Sequence, residues 1–329
     1  MSPNEGVFYA FGAALCFAMC PVFFERGAKD LPSPFASLVR LGAPLTVLAL
    51  LVSMAPFAGE VLAVSDTHVA LILAGGVVNL AIADTLLIRA IGAIGVSRAV
   101  SISSVYPLIV MLILGESIVV QTIIGIILVM MGIYLVSTSR SEEGTIYRPS
   151  EEHQRYGFGL GRALRPAYML KRLRTTTSVL TKDVFWQSNY GMGIALSLGA
   201  AVCWAIGISI FKTVVDTVRP EVLNLYRLAG GFVFMLIINT MTRNMRSNMS
   251  LLNGRRVALL SIGGVVGSVA GSILTYKGLA LADGGVISSI TASSPILTAL
   301  ISIALGEAAS LRMFGGVVTT VIGIVLVVS

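Results

Sequence analysis

Apolar residues fill this chain in ten runs separated by shorter polar breaks. Five lie at 7–24, 35–57, 69–89, 99–114 and 119–137, and five at 192–211, 222–241, 257–279, 286–305 and 313–328. A helix needs roughly 17–25 apolar residues to cross the hydrocarbon core of a bilayer, so each run predicts one spanning helix, with 99–114 short for the task. The expected fold is an all-α polytopic membrane protein of ten transmembrane helices.

The pattern is written twice. Gly75-Gly76-Val77-Val78 reappears as Gly263-Gly264-Val265-Val266 and Pro107 as Pro295, a shift of 188 in both cases. Gly115-Glu116 returns as Gly306-Glu307, 191 residues on, so the second copy has gained three residues after its proline. Earlier helices match too: GAALCFA at 12–18 with GAAVCWA at 199–205, Leu38-x-Arg40-Leu41 with Leu225-x-Arg227-Leu228, and Gly125 and Gly132 with Gly316 and Gly323. The chain therefore divides into a five-helix repeat at 1–137, a linker at 138–189 and a second five-helix repeat at 190–329. Five is odd, so the second repeat must enter the membrane upside down relative to the first. Inverted repeats of this kind place a binding site near the midplane where the halves meet and permit alternating access by rocking.

The linker starts acidic, with Glu142-Glu143 and Glu151-Glu152, and turns basic through Arg155, Arg162, Arg165, Lys171, Arg172, Arg174 and Lys182. Phe158, Leu160, Leu164, Met169, Leu170 and Leu173 are interleaved. Two readings fit: a solvated linker, or a basic helix lying on an anionic membrane face; a loose acidic start with a surface-hugging basic end combines them.

Composition narrows the function classes. The chain is 56% hydrophobic and 12% charged, against about 25% charged for a soluble domain. The net charge of +7 does not point to nucleic acid, because the basic residues lie in the linker or flank apolar runs, where a membrane-surface role accounts for them. Counting Lys and Arg by side gives 19 on the side of the linker and four (Lys212, Arg219, Arg227, Lys277) on the side of the termini. The positive-inside rule then puts the linker in the cytoplasm and both termini outside a cell membrane. No basic residue precedes the first run and no small-residue cleavage site follows it, so that run reads as a retained span. Cys16, Cys20 and Cys203 lie in apolar segments without neighbouring ligands, so they read as packing residues and no metal is expected. The chain has no G-x-x-x-x-G-K-[ST] motif for nucleotide hydrolysis. Its only histidines are His68 and His153, and no paired carboxylates fall in a span, so an enzyme is not expected.

Several doubled motifs together resemble a family. They are the Leu-x-Arg of each second helix and, at the third, Leu86-Leu87-Ile88-Arg89-Ala90 and Leu274-Thr275-Tyr276-Lys277-Gly278. The fourth carries Ser103-Ser104-Val105-Tyr106-Pro107, echoed by Thr291-Ala292-Ser293-Ser294-Pro295, and Leu-Gly-Glu precedes the fifth. In that order the chain resembles the EamA-type branch of the drug/metabolite transporter superfamily. The resemblance implies secondary, ATP-independent transport of a small polar metabolite, amino acid or drug-like compound, with no cofactor. The linker is longer than the resemblance requires, and termini in that family are commonly cytoplasmic, the reverse of the charge reading here. A sensor or scaffold using the linker as its output is the alternative.

The candidate site residues are those that are costly in a membrane. Asp84 is the acid most clearly inside a span, and a buried carboxylate there is by default functional. It reads either as a proton carrier or cation-binding group, or as the partner of Arg89, Arg40 or Arg98 in a structural bridge; its repeat counterpart is Ser272. Arg40 and Arg227 read as binders of a substrate carboxylate or, the preferred reading, as snorkelling structural residues. Glu25 and Lys212, equivalent in the two repeats and opposite in sign, read as a gate pair or as interfacial charges. Pro107 and Pro295 would kink their helices and free carbonyls, and Ser103, Ser104, Tyr106, Thr291, Ser293 and Ser294 beside them read as cavity lining. Asn79, Trp204, Asn224, Tyr226 and Tyr276 are further substrate candidates. Glu116 and Glu307 are expected to cap the start of the helix that comes after each, where the dipole favours an anion. The implied partners are a small-molecule substrate and the lipid bilayer, with proton coupling through Asp84; the sequence assigns no oligomeric state.

Overall fold

A computed structural model of the chain describes residues 3–28, 31–94, 99, 102–117, 119–142, 189–241, 245–304 and 311–328. Nearly all of the linker, with Arg155, Arg162, Arg165, Lys171, Arg172, Arg174 and Lys182, lies outside the described residues, as do Arg98 and Glu307. Among the described residues every regular element is helical. The first half runs α1 (Pro3–Gly27), α2 (Ser33–Ser53), the short α3 (Glu60–Ala63), α4 (Asp66–Gly76), a π turn π1 (Val77–Ile82), α5 (Ala83–Ile94), α6 (Tyr106–Leu114) and α7 (Val120–Glu142). The second runs α8 (Asn189–Val214), α9 (Pro220–Met241), α10 (Met245–Met249), α11 (Gly254–Gly264), π2 (Val265–Gly271), α12 (Ser272–Leu279), α13 (Gly284–Ala292), α14 (Ser294–Ala304) and α15 (Leu311–Val328).

Local chemistry sets many of these ends. Proline opens α2, α6, α9 and α14 in the first turn, where its missing N–H costs nothing and its fixed φ already suits a helix. The Ser65 hydroxyl accepts from His68 N at the start of α4, and Asn253 Oδ1 from Arg256 N at the start of α11. Gly115, at φ 67°, closes α6 in the left-handed conformation that a glycine adopts without penalty.

Among the described residues, five helices are long and apolar enough to cross a bilayer: Pro34–Ser53, Asp66–Leu87, Gly191–Val214, Pro220–Met241 and Gly254–Leu279. Shorter apolar helices occupy Glu5–Cys20, Val120–Leu135, Gly284–Leu297 and Leu311–Val327. The structure thus departs from ten uniform spans, most visibly at the fourth and ninth. The expected single helix over 99–114 is interrupted by a turn at 104–105 before α6, and that over 286–305 by a turn at Ser293 between α13 and α14. Pro107 and Pro295 do not kink a continuous helix. Each sits in the first turn of a new one, because a helix ends more readily before proline than through it.

The halves pack across one another in a mirrored, antiparallel scheme. Helix α1 lies on α11, π2 and α12, and correspondingly α8 lies on α4, π1 and α5; α2 lies on α9, and α7 on α15. Along α7 and α15, a Cβ at Gly125 would lie 2.7 Å from the Gly323 carbonyl, and one at Gly132 2.6 Å from the Gly316 carbonyl. Small residues here let two helical backbones meet, the usual basis of helix association in lipid. Large apolar side chains such as Phe8, Leu50, Met54, Leu112, Val120, Val233 and Phe314 face outward, while Asn79, Asn224, Arg227, Ser272 and Thr291 are buried. That inversion of the soluble pattern is what a lipid solvent selects.

Candidate functional site

A connected set of polar side chains, several of them buried, lies along one seam between the halves. On α8, Trp204, Gly207 and Phe211 recur at i, i+3 and i+7 and so share a face. That face lies along the third helix of the first half in antiparallel register. A Cβ at Gly207 would meet Asn79 Cβ at 2.7 Å, and one at Gly75 would meet the Phe211 ring, also at 2.7 Å. The π turn between them adds a residue to the helix and re-aims the side chains beyond it, a deviation common at functional positions. It places Asn79 (in π1) and Asp84 (at the start of α5) on the same α8 face.

Asp84 is held by two donors. Arg40 Nη2 donates to Oδ2 at 2.7 Å, and Trp204 Nε1 donates to Oδ1 at 3.3 Å. The ion pair is mostly shielded, with side-chain exposures of 18% and 21%. Of the bridging partners expected for Asp84, Arg40 makes the bridge, and Arg98 lies outside the described residues. Arg89 lies five residues further along the helix, which turns a side chain by about 500°, well off the Asp84 face. Arg40 lies 5.2 Å from the Phe24 ring centroid.

Trp204 extends the connection to the second half. Its ring meets Tyr106 edge-on, with centroids 5.8 Å apart. The Tyr106 hydroxyl donates to Ser288 O at 2.9 Å and shares a 3.2 Å hydrogen bond with Thr291 Oγ1. Tyr106, from the helix after the first break, is thereby tied to the segment before the second. Ser103 and Ser104 are buried nearby in sequence. Ser293 Oγ donates back to Ile290 O at 2.6 Å, satisfying a carbonyl at the end of α13, and Ser294 opens α14.

The second arginine has a different cage. Arg227, only 8% exposed, donates from Nε and Nη2 to Asn79 Oδ1 (3.3 and 3.1 Å) and from Nη1 to Asn224 Oδ1 and Ser272 Oγ, both at 3.0 Å. The Phe211 and Tyr276 rings flank it at 5.9 Å each. Asn224 is fixed in turn by donating to Ser268 O at 2.8 Å. Arg227 is not extended outward as the expected snorkelling would require: acceptors from three helices hold the side chain inside the protein. Tyr226, one residue earlier on α9, leaves the seam and donates to Val61 O at 2.8 Å.

Glu116 also departs from expectation. Its carboxylate does not cap the next helix in sequence; it accepts from Gly284 N at 2.6 Å and Gly285 N at 2.9 Å, the start of α13 in the other half. Glycine at both positions admits the carboxylate, since a Cβ at Gly284 would lie 3.1 Å from Glu116 Oε1 and one at Gly285 2.9 Å from Oε2. A helix N-terminus is the favourable place for an anion; which N-terminus it caps is decided by tertiary packing.

Comparison with known proteins fits this architecture. The model of the EamA-like transporter family matches the chain twice, at residues 4–138 and 191–329. The chain belongs to the EamA-like transporter family. It is thus a multi-pass integral membrane protein of the drug/metabolite transporter superfamily. No protein of curated function matches it. A protein of known crystal structure superposes with a TM-score of 0.68 at 14% identity, covering 98% of this chain and 96% of the other, which establishes a shared fold.

Some contacts of this EamA-like chain have no counterpart in the sequence reading. Lys212 donates to the carbonyls of Leu279 and Ala282, so it closes the C-terminal end of α12. Arg219 Nε donates to Glu60 Oε2 at 2.7 Å and to Oε1 at 2.9 Å, joining the halves at one end, with the Phe57 ring centroid 4.8 Å from the guanidinium. Lys277 meets Glu221 at 3.5 Å. A basic residue at the end of an apolar run points to closure of its own helix, so no local signal sends Lys212 to carbonyls 67 and 70 residues away or pairs Arg219 with a residue 159 positions away. Among the described residues no cluster of metal-ligating groups occurs, and Cys16, Cys20 and Cys203 are free.

Proposed function

We propose that the chain is a secondary transporter that moves a small polar metabolite by alternating access between two inverted five-helix repeats, 1–137 and 190–329. The observation that carries this is the mirrored antiparallel packing of equivalent helices around a buried polar seam, built from Asp84, Trp204, Tyr106 and Thr291 on one stretch and Asn79, Asn224, Arg227 and Ser272 on the next. Polar and charged side chains inside a membrane protein are costly and by default point to a functional site, and inverted repeats place such a site where the halves meet. Two further buried hydroxyls, those of Ser209 and Ser288, make no hydrogen bond among the described residues. Ser288, whose carbonyl accepts from Tyr106, lies at the seam and adds unused capacity for a polar solute.

In this reading Asp84 couples transport to protons. Protonation releases the Arg40 guanidinium, and deprotonation recaptures it, so the ion pair and the open seam alternate. Ten spans with the linker in the cytoplasm and both termini outside complete the proposal, supported by the distribution of Lys and Arg. Uptake by purified protein in liposomes tests it, with amino acids, organic cations and sugars offered with and without an imposed pH gradient. Gradient-driven uptake that is lost in a folded Asp84→Asn variant is expected. Gradient-independent uptake surviving in that variant would return Asp84 to a purely structural bridge.

A further inference from the structure

We propose that Arg227 is an anion-binding group and that the ligand of the seam carries a carboxylate. This rests on the transporter reading only in calling that ligand a substrate; the binding itself does not depend on it. A broken symmetry carries the proposal. Arg40 and Arg227 hold equivalent places in the two Leu-x-Arg motifs, each beside the aromatic ring of the equivalent helix, Phe24 or Phe211. Arg40 faces Asp84, and the residue at the equivalent place opposite Arg227 is Ser272, which offers a neutral hydroxyl. Every acceptor that Arg227 has among the described residues is neutral: the Asn79 and Asn224 amide oxygens and the Ser272 hydroxyl.

A guanidinium carries five N–H donors. Nε, both hydrogens of Nη1 and one of Nη2 are engaged, so one Nη2 hydrogen is left over. Neutral acceptors fix the orientation of the fork but do not cancel its charge, and a desolvated cation without a counter-ion is costly. With Arg40 and Asp84 neutralising one another, Arg227 leaves the seam with one positive charge that no described residue compensates. A carboxylate is the matching ligand: planar, anionic and able to take a charge-assisted hydrogen bond from the free Nη2 hydrogen. The rings of Phe211 and Tyr276 flank the guanidinium, and burial at 8% exposure lowers the local dielectric and strengthens that attraction.

Thermal unfolding of the purified full chain in detergent tests this without a known substrate. The probes are acetate, benzoate, L-leucine and L-phenylalanine, each compared with its amide, for wild type, Ser272→Asp and Arg227→Gln. Ser272→Asp gives the second half the internal carboxylate that the first half has in Asp84. The expected result is that carboxylates raise the wild-type midpoint with concentration while the amides do not. In Ser272→Asp the half-saturating concentration should rise at least about tenfold, and in Arg227→Gln the response should vanish. Equal responses to acids and amides in wild type, or an undiminished carboxylate response in Ser272→Asp, would overturn the proposal. Should either variant fail to fold, the acid-against-amide comparison in wild type still decides. Uptake failing in liposomes while carboxylates bind would refute the transporter reading and leave the anion site standing.

Discussion

Arg40 and Asp84, 44 residues apart in sequence, meet at 2.7 Å as an ion pair. Because both side chains are mostly shielded, removing one partner strands the other charge. Asp84→Ala is expected to lower stability by up to about 3–5 kcal/mol. The double variant Arg40→Gln with Asp84→Asn should be more stable than the sum of the two singles predicts, since their effects share one interaction. Denaturation of wild type, the two singles and the double in detergent checks this; strictly additive losses would mean that the pair is not coupled.

Glu116 ties the halves together through backbone donors at the start of α13. Glu116→Ala leaves the Gly284 and Gly285 N–H groups without their acceptor, for a loss of about 1–3 kcal/mol. Glu116→Gln keeps one acceptor oxygen and should fall between that variant and wild type. Ranked melting midpoints read the order directly.

The two glycine pairs make a sharper stability test. A Cβ at Gly76 would overlap the Arg227 carbonyl oxygen, and one at Gly264 that of Arg40. Neither obstacle is a flexible side chain, so Gly76→Ala and Gly264→Ala should each cost about 1–3 kcal/mol or more. Gly254, which has open space around it, is the control: alanine there should be neutral or slightly stabilising, because glycine is the weaker helix former. Melting midpoints in detergent distinguish the two classes.

Much of this fold is legible in the residues, for physical reasons. Apolar run length reports on the bilayer, and the doubled Gly-Gly-Val-Val, Leu-x-Arg and Leu-Gly-Glu motifs report a duplication that the two family matches reproduce. Asp84 is visible as an acid among apolar neighbours. Its partner is not, because Arg40 and Arg89 are equivalent candidates in sequence and only the π turn and the packing of α2 choose Arg40. A local rule assigns Glu116 to the nearest helix start, whereas its true acceptor role lies 168 residues away. The cage around Arg227 is hidden for the same reason: Asn79 is 148 residues distant, and no periodicity within one helix encodes such a contact.

Trp204 joins Asp84 to Tyr106, so its two functions can be separated. Trp204→Phe keeps a ring against Tyr106 and deletes the N–H that reaches Asp84. Stability should change by about 1 kcal/mol, the usual net worth of one hydrogen bond, while gradient-driven uptake slows several-fold. Initial uptake rates in liposomes, set beside melting midpoints of the same preparations, separate a change in coupling from a change in folding.

Rocking of one half against the other is the central claim, and Glu60 and Arg219 offer direct access to it because they join the halves at one end. Cysteines at these two positions, in a chain with Cys16, Cys20 and Cys203 replaced by alanine, can be bridged by a short bifunctional maleimide. Uptake should be arrested in the bridged protein and intact when either single cysteine is treated alone. Full uptake with the bridge in place would contradict alternating access between the two halves.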